Sequence, residues 1–151
     1  MPPATSTRAR GSGARSLSDI ELASLLKVGM AYRDSHRFNE ARDTFLTIRA
    51  LRSGEPNAEI GLGSTCFSEG RYEDAIRHYR EALRLNPCNA YAYALLGESQ
   101  IFHAQSSAAR VSLRRAREID RSGPYGRLAQ QLLHLLDSLP AAESPSQDRQ
   151  P

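Results

Sequence analysis

The chain is short of the residues that most chemistry needs. Two cysteines, Cys66 and Cys88, in 151 residues cannot make a disulfide framework, and neither has a second Cys or a His at metal-ligand spacing, so both are expected to be reduced. The four histidines, His36, His78, His103 and His134, form no His-x-x-x-His pair. No Gly-rich phosphate loop follows a strand, and no Gly-x-Ser-x-Gly occurs. These absences argue against an enzyme, a bound metal or a cofactor. No apolar run approaches the roughly 20 residues that span a bilayer, and the first residues lack the apolar core of a secretory signal. The expectation is a cytoplasmic protein without membrane insertion.

An excess of positive charge is also missing where it would matter. The formal charge is +3, and Arg8, Arg10 and Arg15, in an acid-free stretch up to Leu17, account for all of it. From Ser18 to Leu139 there are 16 basic and 15 acidic residues. Arg110, Arg114, Arg115, Arg117 and Arg121 form one local cluster, which reads as a solvated helix face. A nucleic-acid binder shows a dominant basic footprint, and this chain shows none.

What is present is a repeat. From Glu59 to Pro87 the chain carries Leu62-Gly63, Gly70-x-Tyr72, Ala75, Tyr79, Ala82 and Pro87 at the spacing of the tetratricopeptide repeat (TPR), a 34-residue helix-turn-helix unit. Stepping by 34 residues places Gly29, Ala41 and Phe45 on equivalent positions before it, and Leu96-Gly97, Ala109, Leu113 and Ala116 after it. The turn positions hold His36 and Ala104 where Gly70 stands in the middle copy. Small residues such as Gly63 and Ala75 are expected where two helices cross closely. Tyr72, Ala75, Ile76, Tyr79, Ala82 and Leu83 make one buried helical stripe. On the opposite face Glu73, Arg77 and Glu81 follow one another at four-residue intervals, which predicts supporting ion pairs.

The expected fold is all-α: a right-handed superhelical stack of three repeats, at about 22–55, 56–89 and 90–123, closed by a capping helix at about 124–139. Residues 1–17 and 140–151, rich in Pro, Ser and polar residues, are expected to be loose tails; an Arg-rich transit segment is an alternative for the first, although no amphipathic face precedes Leu17. Ser18-x-x-Glu21 is a capping box that opens the domain. Asn39 and Asn89 are expected to cap the second and fifth helices, and Ser106 or Ser107 to start the sixth. Pro56 and the Ser122-Gly123-Pro124 break mark further starts. The first and fifth helices carry more apolar surface than one buried stripe requires, which calls for a cover on the first helix: a second copy or a bound ligand.

These residues resemble the class II chaperones of bacterial type III secretion, on Leu26-x-x-Gly29-x-x-Tyr32, Gly61-Leu62-Gly63, Gly70-x-Tyr72-x-x-Ala75-Ile76-x-x-Tyr79 and the apolar start of the third repeat. The resemblance covers Leu17 to about Leu139. It implies a cytoplasmic, non-enzymatic escort that holds an extended segment of a hydrophobic translocator in a concave groove and self-associates through its N-terminal helix. The groove positions it implies are Ala23, Leu26, Met30 and Arg33 in the first repeat, Asn57, Ile60, Ser64 and Phe67 in the second, and Tyr91, Ala94, Glu98 and Ile101 in the third. The clamp that other such repeats use for the acidic tails of heat-shock chaperones needs Lys, Asn and Arg in the groove; here Leu26, Met30, Gly61, Tyr91 and Leu95 stand there instead. The alternative reading is a generic TPR adaptor or scaffold subunit of a larger assembly.

Overall fold

In a computed structural model, which describes residues 16–140, seven helices follow one another: α1 Asp19–Asp34, α2 Phe38–Leu51, α3 Pro56–Ser68, α4 Tyr72–Leu85, α5 Ala90–Phe102, α6 Ser106–Ile119 and α7 Pro124–Ser138. They make three antiparallel hairpins and a closing helix, the arrangement of three TPR repeats with a cap. The tails read as loose in the sequence lie almost wholly outside the described residues.

The three hairpin turns are copies of one another. His36, Gly70 and Ala104, each 34 residues apart, sit in the left-handed region with φ of 58°, 77° and 58°. The residue after each, Arg37, Arg71 and Gln105, donates its N–H to the carbonyl five residues back, on Tyr32, Cys66 and Gln100, at 2.8 Å in all three. The backbone therefore keeps the glycine conformation even where the sequence has His or Ala. Because the chain leaves each turn straight into helix, α2, α4 and α6 begin on Arg37, Arg71 and Gln105 without any side-chain cap. Asn39 consequently does not cap α2: it lies inside the first turn and accepts from Arg42 Nη1 at 3.1 Å. Ser106 starts α6 as expected, as its first helical residue.

The first helices of the repeats have true caps. Ser18 Oγ accepts from the Glu21 N–H at 3.3 Å while Glu21 Oε2 accepts from the Ser18 N–H at 3.0 Å, the reciprocal box expected there. Asn89 Oδ1 accepts from the Ala92 N–H at 3.0 Å, and Pro56 and Pro124 occupy the first turns of α3 and α7. On α4 the expected four-residue pairs do not form. Arg77 pairs with Asp74, and Arg84 reaches Glu81 at 2.7 Å, because each Arg meets a carboxylate one turn back at three residues.

Each hairpin closes on itself, and consecutive first helices touch as well: α1 on α3, α3 on α5, α5 on α7. The second helices α2, α4 and α6 make no contact with one another. A stack that is pinched along one row of helices and open along the other is curved, with α1, α3, α5 and α7 on the inner side. Three core clusters fill the spaces between units: Phe45, Ile48, Ala58 and Leu62; then Ile76, Tyr79, Leu83, Ala92 and Leu96; then Ala94, Leu113, Ala129, Leu133 and Leu136. Each mixes side chains of one unit with the next, so no unit buries its apolar face alone.

This packing also explains the apolar excess of α5. Helices α3, α4, α6 and α7 all lie against it, and Ala92, Ala94 and Ser99 are fully buried. The first helix has no such neighbours on one side. Ile20 is 81% exposed, and Val28 and Met30 are close to half exposed.

A Cβ on Gly63 would stand 2.7 Å from the Tyr79 ring of α4. The close approach is between a helix backbone and an aromatic ring. The same device recurs in the first repeat. Phe45, fully buried, lies between Gly29 and Gly61, where added Cβ atoms would come within 2.7 and 2.3 Å of its ring.

The arginine cluster on α6 is partly engaged within the chain. Arg110 pairs with Asp137 and donates to the Leu136 carbonyl at 3.0 Å, tying down the end of α7, while Arg115 and Arg117 reach Glu118 and Gln130.

Candidate peptide groove

The glycine pair around Phe45 has a consequence on the inner surface. With no side chain on Gly61, a hollow of about 110 Å³ opens beside it, with the Phe45 ring in its wall. Leu26, Met30 and Arg33 of α1, Asn57, Ile60 and Ser64 of α3, and Tyr91 of α5 complete the lining. Three helices that are distant in sequence thus meet around one cavity, and most of what they present is carbon.

The polar groups in the wall are largely committed. Ser64 Oγ and the Tyr79 hydroxyl share a hydrogen bond of 3.1 Å, and burial pushes the Tyr79 phenol well above its ordinary pKa. Tyr91, shielded from water and stacked on Tyr125 of α7 at 4.8 Å between ring centres, is raised for the same reason. Arg33 is held by the Asp34 carboxylate at 2.7 Å. Asn57 donates its side-chain N–H to Glu55 at 2.7 Å.

Of the positions implied by resemblance, Leu26, Met30, Arg33, Asn57, Ile60, Ser64 and Tyr91 come together at this hollow, Ile60 and Ser64 as buried wall and Met30 as open rim. The others lie elsewhere. Ala23 is exposed on α1 outside the hollow. Ala94 is fully buried in the third core cluster, and Ile101 packs against that cluster. Phe67 sits in an aromatic group with Tyr72 and Phe102, ring centres 5.2 to 5.3 Å apart. Glu98 is half-buried on α5, two turns beyond Tyr91.

Phe45 was not among the expected groove residues, and Gly61 was placed there only as a position where a clamp residue is missing. Gly61 was visible as a second glycine two places before Gly63, but only contact with Phe45 shows that it opens space. Tyr125 was missed because the closing helix was read as a cap, whereas it continues the inner row.

A second polar centre lies on the other side of α3. Glu59, 4% exposed, accepts from His78 Nδ1 at 2.8 Å and from Arg49 Nη1 at 3.3 Å. Cys66 and Glu59 together push the His78 pKa up to about 9. Burial pulls the Glu59 carboxyl upward, but the His78 and Arg49 hydrogen bonds outweigh it and leave its pKa below the ordinary value. Three helices are joined here by a satisfied charge network rather than by a reactive group. Among the described residues no cluster of ligating side chains fits a metal ion, and no helix is long and apolar enough to cross a membrane.

The comparisons with known proteins agree with this architecture. The family model described as TPR repeat matches residues 63–101. No curated protein matches the chain. Among solved structures, the type III secretion translocator chaperone SycD of Yersinia enterocolitica, in an alternative dimer, superposes with a TM-score of 0.71 at 20% identity, covering 80% of this chain and 92% of that one. PcrH of Pseudomonas aeruginosa, in complex with the chaperone binding region of PopD, gives 0.69 at 21% identity over 82% and 94%. The first TPR of Spaghetti (RPAP3), bound to an HSP90 peptide, gives 0.70 at 17% identity over 80% and 94%. The chain contains a TPR repeat, and its fold is that of a stack of such repeats. In structure it resembles the type III secretion translocator chaperones SycD and PcrH.

Proposed function

We propose that this protein is a non-enzymatic, cytoplasmic chaperone that holds an extended segment of a hydrophobic secreted translocator along its inner surface. The observation that carries the reading is the open apolar hollow between α1, α3 and α5, walled by Gly61 and the Phe45 ring. An extended peptide that inserts a Leu, Val or Pro there buries apolar surface at about 25 cal/mol per Å². The absence of Lys in the hollow, and the pairing of its one Arg with Asp34, disfavour capture of an acidic tail of the HSP90 kind. The exposed face of α1 around Ile20 and Val28 suits a homodimer, in keeping with the likeness to dimeric SycD.

The test is co-expression with each protein encoded beside it, followed by purification of the complex. Leu26→Glu with Met30→Glu, the first partly buried and the second exposed in the lining, should abolish capture while circular dichroism stays unchanged. Ile60 is less suitable for this purpose because it belongs to the core. If the double variant folds and binds as before, the groove reading fails. The second reading, an adaptor working through its outer face, is favoured by a broad open hollow around Val111, Tyr93 and Arg114. Cross-links centred on Arg114 and Val111 would identify it.

A further inference from the structure

Glu98 holds a groove position implied by the resemblance, outside the hollow, and stands without a partner among the described residues. It lies on α5 seven residues after Tyr91, on the same helical stripe, and its charge is felt by both Tyr91 and the buried Tyr79. The side chain is half-buried, yet among the described residues it makes no hydrogen bond and no ion pair. Its carboxyl pKa is raised, with burial as the cause. The cation whose charge reaches the same two tyrosines, Arg33, is held by Asp34 at 2.7 Å. Other carboxylates among the described residues are not left so: Glu59 has both His78 and Arg49, and Glu69 receives Arg42 at 2.7 Å.

A carboxylate kept partly out of water without a partner is a cost that a ligand can relieve. We infer that the segment bound in the groove carries a Lys or Arg beside its apolar anchor, and that Glu98 selects for it. This rests on the reading of the concave face as the peptide site. The spacing follows from the helix. Seven residues of α5 advance about 10 Å, which an extended chain covers in about three residues. The cation therefore stands about three residues from the apolar side chain that lies against Tyr91. The groove then reads two features at once, a hydrophobic one at Gly61 and a charged one at Glu98, and it discriminates against segments that place an acid at the second.

The experiment titrates the full-length protein, by fluorescence anisotropy, with short labelled peptides that hold one Leu-x-Leu anchor. A single Lys, norleucine or Glu is scanned along the flanking positions. In one register the Lys peptide binds about tenfold tighter than its norleucine analogue, and the Glu peptide binds more weakly than either. Glu98→Gln, which keeps the shape of the side chain, brings Lys and norleucine level without lowering the melting temperature. The Lys preference persists in high salt, because the pair is partly shielded from solvent. Equal affinities for Lys and norleucine in every register, with the apolar anchor still bound, overturn the inference and leave the groove reading intact. Failure of all three series to bind overturns the groove reading and the inference with it.

Discussion

Gly61→Ala tests the geometry on which the groove depends. An ideal Cβ at this position falls 2.3 Å from two carbons of the Phe45 ring and 2.6 Å from a third. Carbon atoms in contact prefer about 3.5–4.0 Å, so more than an ångström has to be recovered. The ring has little room to retreat, because it is fully buried and also lies close against the backbone at Gly29. Overpacking of this kind costs about 1–3 kcal/mol. Against it stands a gain of about 0.5–1 kcal/mol from replacing a mid-helix glycine by alanine. The balance is a loss of about 1–2 kcal/mol, read as a lower urea midpoint at unchanged slope in far-UV circular dichroism. Shrinking the ring provides the internal check. In Phe45→Leu the added methyl has room, so the double variant should lose less than the sum of the two single losses. If Gly61→Ala is as stable as the parent, or if the two changes simply add, the slot does not exist as described.

Three further expectations follow from particular contacts. Ala104 holds φ of 58° where Gly70 does the same work without strain, so Ala104→Gly should stabilise by about 0.5–1 kcal/mol, seen as a higher thermal midpoint. His78 has a pKa raised to about 9 from an ordinary 6.5. Its contribution to stability is therefore complete below about pH 6.5 and is lost as pH rises through about 9; melting curves across this window should fall, and His78→Gln should remove that part of the slope. Asp120 Oδ2 accepts from the Tyr125 and Gly126 N–H groups at 3.0 and 3.3 Å at the start of α7. Asp120→Ala should cost about 1 kcal/mol and raise hydrogen exchange in the first turn of α7 before the rest of the stack.

The 34-residue period was legible in the chain because its markers are local. Gly29, Gly63 and Gly97 recur with Phe45, Tyr79 and Leu113, and a helix-turn-helix unit needs a small residue and a large one at those places whatever its neighbours are. The same period located the left-handed turn at His36 and Ala104, against their own preference, since the hairpin permits only one backbone path there. The capping box at Ser18 and the cap at Asn89 were readable for the same reason, as they involve residues within three positions. Asn39 misled because a good capping residue stood one place beyond the point where the turn delivers the chain into helix.

Which apolar residues are core and which are surface was decided only by the tertiary structure. Helices α1 and α5 are both apolar nearly all round, but α5 is enclosed by four helices and α1 is left open on one side. Ala94 and Met30 hold groove positions by register, yet one is fully buried and the other is on the rim. The Phe45 slot between Gly29 and Gly61, the His78–Glu59–Arg49 network and the isolation of Glu98 join residues from separate helices. Burial and pairing are properties of the space between helices, and a periodic pattern along one helix does not carry them.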